Sequence, residues 1–150
     1  MLKQIVTRDD LHSTVLVTTQ ASLLLAGKAL ERDAICATDW HSPASYEPMK
    51  YTVSIPNHLG TKKFLSQSRS FVVNFMVKQH DEKLNMMISQ DGTIVDLFSM
   101  FGLTKLKSRS VDAPAIKEAA AVLECEVENE IESGDHTIFV GKVLNARQNF

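Results

Sequence analysis

The sequence predicts a mainly β protein, a small antiparallel barrel with short helices grafted at its edges. Three observations carry this prediction: six or seven short segments have strand character, three or four have helical character, and no long helices separate the strands. Strands that alternate with long helices are typical of a parallel sheet, so this order disfavours one. Closure into a barrel removes the exposed sheet edges and suits the pattern.

Length, charge and composition are typical of one domain, residues 1–150, working in the cytoplasm. The net charge of −2 and the lack of a basic stripe argue against nucleic acid as a partner. The longest apolar run, Leu23–Ala26, is too short to span a membrane, and the first ten residues do not resemble a signal peptide. Cys36 and Cys125 lack the spacing of a zinc or redox motif, so we expect two buried thiols and no metal.

The first half of the chain is expected to be rich in strands. β-Branched and apolar residues concentrate in His12–Thr19, Ala34–Thr38, Met49–Ile55 and Ser70–Val77. Glu31–Asp33 is expected to be a polar turn. Asp39–Pro48 has two prolines and many small polar residues, which predicts an irregular segment.

Helical signals lie between and after these strands. Thr61 is the expected cap of a short helix over Lys62–Ser68. Between Gln79 and Leu106, apolar residues recur at helical spacing, with Thr93 as the expected N-cap of the second group. A further short helix is expected from Ile116 to Ala121.

The last third holds the clearest local pattern. From Leu123 to Ile131, apolar residues alternate with glutamates, which predicts a strand with one buried and one solvated face, broken at Asn129. Ser133–His136 is expected to form a turn of about four residues. Thr137–Leu144 then completes a hairpin.

Three segments together resemble the flavin reductase-like proteins, the FMN-binding split-barrel family that includes flavoredoxins. Residues 34–48, AICATDWHSPASYEP, resemble the first signature, and residues 53–75, VSIPNHLGTKKFLSQSRSFVVNF, are similar to the second. The third lies within residues 101–143, where the string Gly-Asp-His-Thr-x-Phe-x-Gly is the most specific part. The three segments follow in the family's order and cover most of the chain.

The resemblance implies a Greek-key split barrel that binds FMN, as a homodimer with the flavin near the subunit interface. It implies an oxidoreductase that takes hydride from NADH or NADPH and passes electrons to free flavin, iron or a partner protein. No partner nucleic acid and no membrane are expected. Because hydride goes to the flavin itself, no protein nucleophile is needed and no catalytic residue is asserted.

Two groups of residues are expected to hold the cofactor. A helix N-terminus and nearby cations suit a phosphate, which points to Asn57, His58, Thr61, Lys62 and Lys63. An irregular loop leaves backbone groups for the ring, which points to Thr38, Asp39, Trp40, His41, Ser42 and Ser45.

Each of these assignments has a structural alternative. The helix start could be a plain N-cap with solvated lysines, Trp40 a core or interface anchor, and His41 a solvated loop residue. His136 either reaches the flavin or nicotinamide or only opens a strand.

Three functions remain open on the sequence. The first is an NAD(P)H-dependent flavin reductase. The second is an FMN electron carrier without its own nicotinamide site, which the compact chain mildly favours. The third is a barrel that has lost its flavin, which the small and polar residues kept in the contact loops disfavour.

Overall fold

The computed structural model describes residues 1–149, and for residues 23–25 it describes the backbone alone. Within that part of the chain there are four α-helices and nine strands, so the mainly β prediction is confirmed. The helices are α1 (Leu2–Val6), α2 (Gly60–Ser68), α3 (Asp81–Met87) and α4 (Leu97–Met100). The strands are β1 (Leu11–Leu25), β2 (Lys28–Thr38), β3 (His41–Tyr46), β4 (Met49–Pro56), β5 (Ser70–Val77), β6 (Lys105–Leu106), β7 (Ala115–Ile116), β8 (Ala121–Ser133) and β9 (His136–Gln148).

Seven strands form one antiparallel sheet in the order β2-β1-β5-β8-β9-β4-β3. The two ends of this order meet because β3 follows β2 after only two residues. The Ser54 amide of β4 donates to the Trp40 carbonyl at 2.9 Å, and the Thr38 hydroxyl donates to the Ser54 carbonyl at 3.2 Å. The β2–β3 segment therefore bonds to β1 along its first part and to β4 along its second, which closes the barrel.

Side-chain alternation gives the barrel wall two apolar faces. Val15, Val73 and Phe139 point inward and form the inner core, which Leu2 and Ile5 of α1 complete. The next residues along the same strands point outward. A second core covers part of the outer wall, where α3, α4 and the chain around them pack on the sheet through Leu16, Ile35, Val72, Leu84, Met87, Leu97, Phe98 and Val122.

The glutamate stripe of β8 is only partly solvated. Glu126 and Glu128 are exposed as expected, but Glu124 is 2% exposed. Its carboxylate accepts from the backbone amides of Arg109 (3.1 Å) and Ser110 (2.6 Å) and from the side chain of Asn145 (3.0 Å). A buried carboxylate needs such donors, so Glu124 fixes the loop after β6 to the barrel.

Two expectations for the first half of the sheet are corrected. Glu31–Asp33 is not a turn, because it lies within β2, opposite Gln20–Ser22 of β1. Asp39–Pro48 is not irregular, because most of it forms β3, paired with β4. Pro43 is tolerated because β3 is the last strand of the sheet order and needs only one ladder of hydrogen bonds, and Pro48 lies in the turn between β3 and β4.

Two helix predictions in the second half are also wrong. Thr93 caps no helix, since α4 starts later and the Asp96 carboxylate caps it by accepting from the Ser99 amide at 3.2 Å. The segment Ile116–Ala121 forms the end of β7, a turn and the start of β8. The hairpin before β9 is tighter than expected, because Ser133 already pairs with His136.

Candidate functional site

The most distinctive surface feature is an aromatic wall where the β2–β3 bend meets the start of β9. The Trp40 side chain is 57% exposed, and its ring stacks on that of His136 with centroids 4.0 Å apart and planes 14° from parallel. The His136 Nδ1 lies 2.7 Å from an Asp135 carboxylate oxygen. An ionised carboxylate only accepts hydrogen bonds, so Nδ1 is the donor in this contact and the His136 ring is held in one orientation.

A groove of about 350 Å3 runs beside this wall on the outer face of the barrel. Its lining comes from the β2–β3 bend and from residues of β3, β4, β8 and β9. The hydroxyl groups of Ser54 and Ser133 make no hydrogen bond to any residue that the structure describes. The lining consists of Trp40, His41, Ser42, Thr52, Val53, Ser54, Ser133, His136 and Ile138. A flat wall with unpaired hydroxyls beside it suits a planar molecule with a polar edge.

The His41 side chain is held by the protein rather than left in solvent. Its Nδ1 lies 2.7 Å from the Tyr51 hydroxyl and its Nε2 lies 2.6 Å from the Ser13 carbonyl. Burial lowers the pKa of His41, although its contact with Ser13 and the charge of Asp39 oppose this effect. With both nitrogens engaged, His41 ties β3 to β4 and β1 and is a structural residue of the groove wall.

Thr38 and Asp39 hold the bend that carries Trp40. The Thr38 hydroxyl accepts from the Trp40 amide at 3.0 Å, and the Asp39 carboxylate accepts from the Thr14 hydroxyl. Ser42 lines the groove, whereas Ser45 does not. The structure therefore brings Trp40, His41 and Ser42 to the groove and gives Thr38 and Asp39 supporting positions beneath it.

Asn57 binds the turn that carries His136. Its amide nitrogen donates to the Gly134 carbonyl at 3.1 Å, its side-chain oxygen accepts from the Thr137 hydroxyl at 2.6 Å, and its backbone amide donates to the Asp135 carbonyl at 2.8 Å. The side chain that was expected at a phosphate thus positions the Asp135–His136 pair against the end of β4.

The α2 N-terminus differs from the expected phosphate cradle. The helix begins at Gly60 with Leu59 as its cap residue, so the prediction that Thr61 caps it is wrong. Thr61 is fully buried and lies against the Cys36 thiol, and its hydroxyl makes no hydrogen bond within the described part of the chain. Burial raises the pKa of this thiol to about 12, and the nearby charge of Asp91 adds to the effect.

The position in front of the α2 N-terminus is taken by a carboxylate from another part of the chain. The Gly60 amide donates to one Asp91 oxygen at 3.1 Å, while the other oxygen accepts from the amide (2.9 Å) and hydroxyl (2.5 Å) of Thr93. The approach is close: a Cβ on Gly60 would lie 2.1 Å from the Thr93 hydroxyl, and one on Gly92 would lie 1.9 Å from the Ile35 carbonyl. Asp91 is not among the site residues expected from the sequence, although Asp-Gly-Thr is a common turn signal.

His58 links the groove edge to this helix start. It is exposed, and its charge lowers the pKa of both Asp91 and Asp135. For Asp91, burial acts in the opposite direction and is outweighed by hydrogen bonds from Thr93 and Gly60 together with His58. For Asp135, the hydrogen bond from His136 is the largest cause.

The two lysines that were expected at a phosphate sit differently. Lys62 is half-buried with its nitrogen 3.7 Å from a Glu132 oxygen, and Lys63 is exposed. The residues present therefore fit a planar ring in the groove. They do not fit a phosphate on the Gly60 amide while Asp91 occupies that place.

These features define a class of protein: a small antiparallel barrel with an aromatic-walled groove for a planar ligand. A model of the flavin reductase like domain family matches residues 11–149, and the chain belongs to this family. An uncharacterised protein of Pyrococcus abyssi is 34% identical over 122 residues, which cover 81% of this chain and 69% of the relative. The chain is thus a flavin-related oxidoreductase or electron-transfer domain.

Two solved structures are similar in fold. The flavoredoxin of Desulfovibrio vulgaris (Miyazaki F) has a TM-score of 0.78 and 22% identity, with 95% of this chain and 73% of that chain covered. The NADH:FAD oxidoreductase of Streptomyces globisporus has a TM-score of 0.70 and 20% identity, with 91% and 76% covered. At these identities the likeness is one of fold, and it agrees with the split barrel that the sequence predicts.

Proposed function

We propose that this chain is an FMN-binding oxidoreductase whose flavin ring lies in the groove beside Trp40. In this proposal hydride comes from NADH or NADPH, and electrons pass to free flavin, iron or a partner protein. The observation that carries it is the stack of Trp40 on His136 beside a groove of about 350 Å3 with unpaired hydroxyl groups. Membership of the flavin reductase like family supports the choice of a flavin as the planar ligand.

The chain's own residues have defined tasks in this proposal. A bound flavin supplies the hydride and electron chemistry, so the protein provides binding and orientation. Trp40 offers an aromatic face, and the hydroxyls of Ser54 and Ser133 offer hydrogen bonds to the polar edge of a ring. Asp135 keeps the His136 ring in one orientation, and that ring stacks on Trp40. Ile138 contributes apolar surface to the groove.

A second candidate is an FMN electron carrier that lacks its own nicotinamide site. The size of the groove favours it, because about 350 Å3 lies near the lower end of small-molecule pockets and leaves little room for a second ring. The fold likeness to a flavoredoxin agrees with the carrier, and the fold likeness to an NADH:FAD oxidoreductase agrees with the reductase.

Purified protein reconstituted with FMN tests both candidates under anaerobic conditions. Bleaching of the flavin absorbance on addition of NADH or NADPH supports the reductase, whereas bleaching by dithionite alone supports the carrier. A protein that takes up no flavin contradicts both.

A substitution tests the groove itself. Trp40→Ala should weaken flavin binding by about tenfold, the worth of one aromatic pair. Tyr46→Ala is the matched control, since Tyr46 is a 52% exposed aromatic residue at the far end of β3 that does not line the groove. Equal affinities for wild type and Trp40→Ala would remove the groove from the proposal.

We also propose that a second copy of the chain covers the outer face of β8 and β9, giving a homodimer. Ile131 is 49% exposed there and pairs across the strands with Ile138. Val140 is the next residue of β9 on the same face of the strand. Sedimentation should therefore show a dimer that Ile131→Lys dissociates. Leu30→Lys is the control, because Leu30 is 48% exposed on the β1–β2 hairpin. A wild-type monomer, or a dimer that survives Ile131→Lys, contradicts this interface.

A further inference from the structure

The N-terminus of α2 is a position that favours an anion, and the chain fills it with its own carboxylate, that of Asp91. We infer that Asp91 occupies the place at which a helix N-terminus would hold the flavin phosphate, so that the chain recognises the ring and gains little from the phosphate. This inference rests on the proposed function and deepens it. It implies a flavin that exchanges, with FMN and riboflavin bound about equally.

The contacts of Asp91 leave no room for a second anion. One oxygen accepts from the Gly60 amide and the other from the amide and hydroxyl of Thr93, so both carboxylate oxygens are engaged. The free N–H groups of a first helical turn are what attracts a phosphate, and here the leading one is already bonded. The carboxylate also satisfies the positive end of the helix dipole.

The wedge formed by residues 91–93 is too tightly built to move aside easily. Gly92 packs so closely on β2 that a Cβ would lie 1.9 Å from the Ile35 carbonyl oxygen. A Cβ on Gly60 would likewise lie only 2.1 Å from the Thr93 hydroxyl oxygen. A phosphate that displaced Asp91 would have to open both contacts and leave the Thr93 hydroxyl without its partner.

The charges around this point also disfavour a dianion. Asp91 and Asp135 both lie within electrostatic reach of His58, and the low pKa of each keeps it ionised at neutral pH. Lys62 is 3.7 Å from Glu132, which offsets part of its charge. In this region a phosphate would have at least two carboxylates close to the cations that could bind it. Because like charges repel, these carboxylates would weaken its binding.

The experiment compares the dissociation constants of FMN and riboflavin, measured by quenching of flavin fluorescence. Wild type should bind the two within about threefold of each other, less than one charge-assisted hydrogen bond would give. Asp91→Asn keeps the side-chain shape but removes the charge, so FMN should tighten by about tenfold with riboflavin unchanged. Asp91→Ser, a neutral capping residue, should act in the same direction.

Asp96→Asn is the matched control. Asp96 is also a carboxylate that caps a helix, accepting from the amide and hydroxyl of Ser99, but it caps α4. It should lower the melting temperature modestly and leave the FMN-to-riboflavin ratio as in wild type. A melting curve for each variant separates changed binding from unfolding.

The outcomes separate this inference from the proposed function. A wild type that prefers FMN by about thirtyfold or more overturns it, because the phosphate would then have a strong site. A ratio near one that neither Asp91 variant alters overturns the assignment to Asp91. If no variant binds either flavin, the proposed function itself fails, and the inference fails with it.

Discussion

Gly92→Ala should destabilise the protein strongly, although the substitution adds a single methyl group. The new Cβ would lie 1.9 Å from the backbone carbonyl oxygen of Ile35, well short of the 3.4 Å at which ordinary contact begins. Because Ile35 belongs to β2, its carbonyl cannot swing away as a side chain would, and the turn at residues 91–93 has to move instead. That movement pulls the Asp91 carboxylate from the Gly60 amide.

The magnitude follows from the contacts that are lost. A hydrogen bond to a charged group contributes about 1.5–3 kcal/mol, and overpacking adds about 1–3 kcal/mol. We therefore expect a loss of roughly 3–5 kcal/mol in the free energy of unfolding. For a domain of this length, about 2–4 °C of melting temperature corresponds to each kcal/mol, so the melting temperature should fall by about 6–20 °C.

Urea denaturation and thermal melting of the flavin-free protein measure this effect. Ser89→Ala is the control, because Ser89 is exposed in the same connection and should change stability by less than about 0.5 kcal/mol. A Gly92→Ala protein as stable as wild type would show that the turn is not wedged against β2. Close packing would then be no reason to expect Asp91 to be hard to displace.

Three further predictions concern the barrel. Burial lowers the pKa of His41 in the folded protein, so the unfolded chain binds more protons and stability should fall as the pH drops below about 6.5. His41→Gln should reduce the slope of melting temperature against pH in this range. An unchanged slope would refute the assignment to His41. Glu124→Ala should lower the free energy of unfolding by about 3 kcal/mol in urea titrations, because the amides of Arg109 and Ser110 and the side chain of Asn145 lose a charged acceptor. A change below about 1 kcal/mol would contradict this. Gly141→Ala should cost about 1–3 kcal/mol, since its Cβ would lie 2.6 Å from the Phe71 ring, and a neutral result would mean that the inner core has spare volume.

Local alternation along the chain was enough to predict much of the sheet. The glutamate stripe of β8 predicts a strand because a wet face and a dry face alternate with period two, and the irregularity expected at Asn129 appears as a register shift. Glu124 breaks the rule for a non-local reason. Its donors lie on the loop at residues 109–110 and on β9, and nothing near Glu124 in the sequence announces them.

The structure of Asp39–Pro48 also depends on contacts with residues that are distant in the sequence. Its prolines and small polar residues predict an irregular segment when taken alone, yet β3 forms because β4 supplies hydrogen bonds along one side and closure of the barrel places it there. Tertiary context overrides such local preferences in many sheets. The same closure turns His41 toward Tyr51 and Ser13, a position that no local pattern could indicate.

The groove wall could be predicted from the sequence, whereas the occupant of the α2 N-terminus could not, and the difference has one physical cause. Trp40 and Ser42 lie within a continuous segment whose position follows from strand order, so a family signature that preserves the segment also preserves the groove wall. The α2 N-terminus is completed by Asp91, a residue 31 positions from Gly60 that arrives through the connection between α3 and α4. A helix start shows only that an anion is favoured there, and whether that anion is a ligand or the protein's own carboxylate depends on the rest of the chain. Motifs that name a helix start therefore identify a type of site, and the distant residue decides what occupies it.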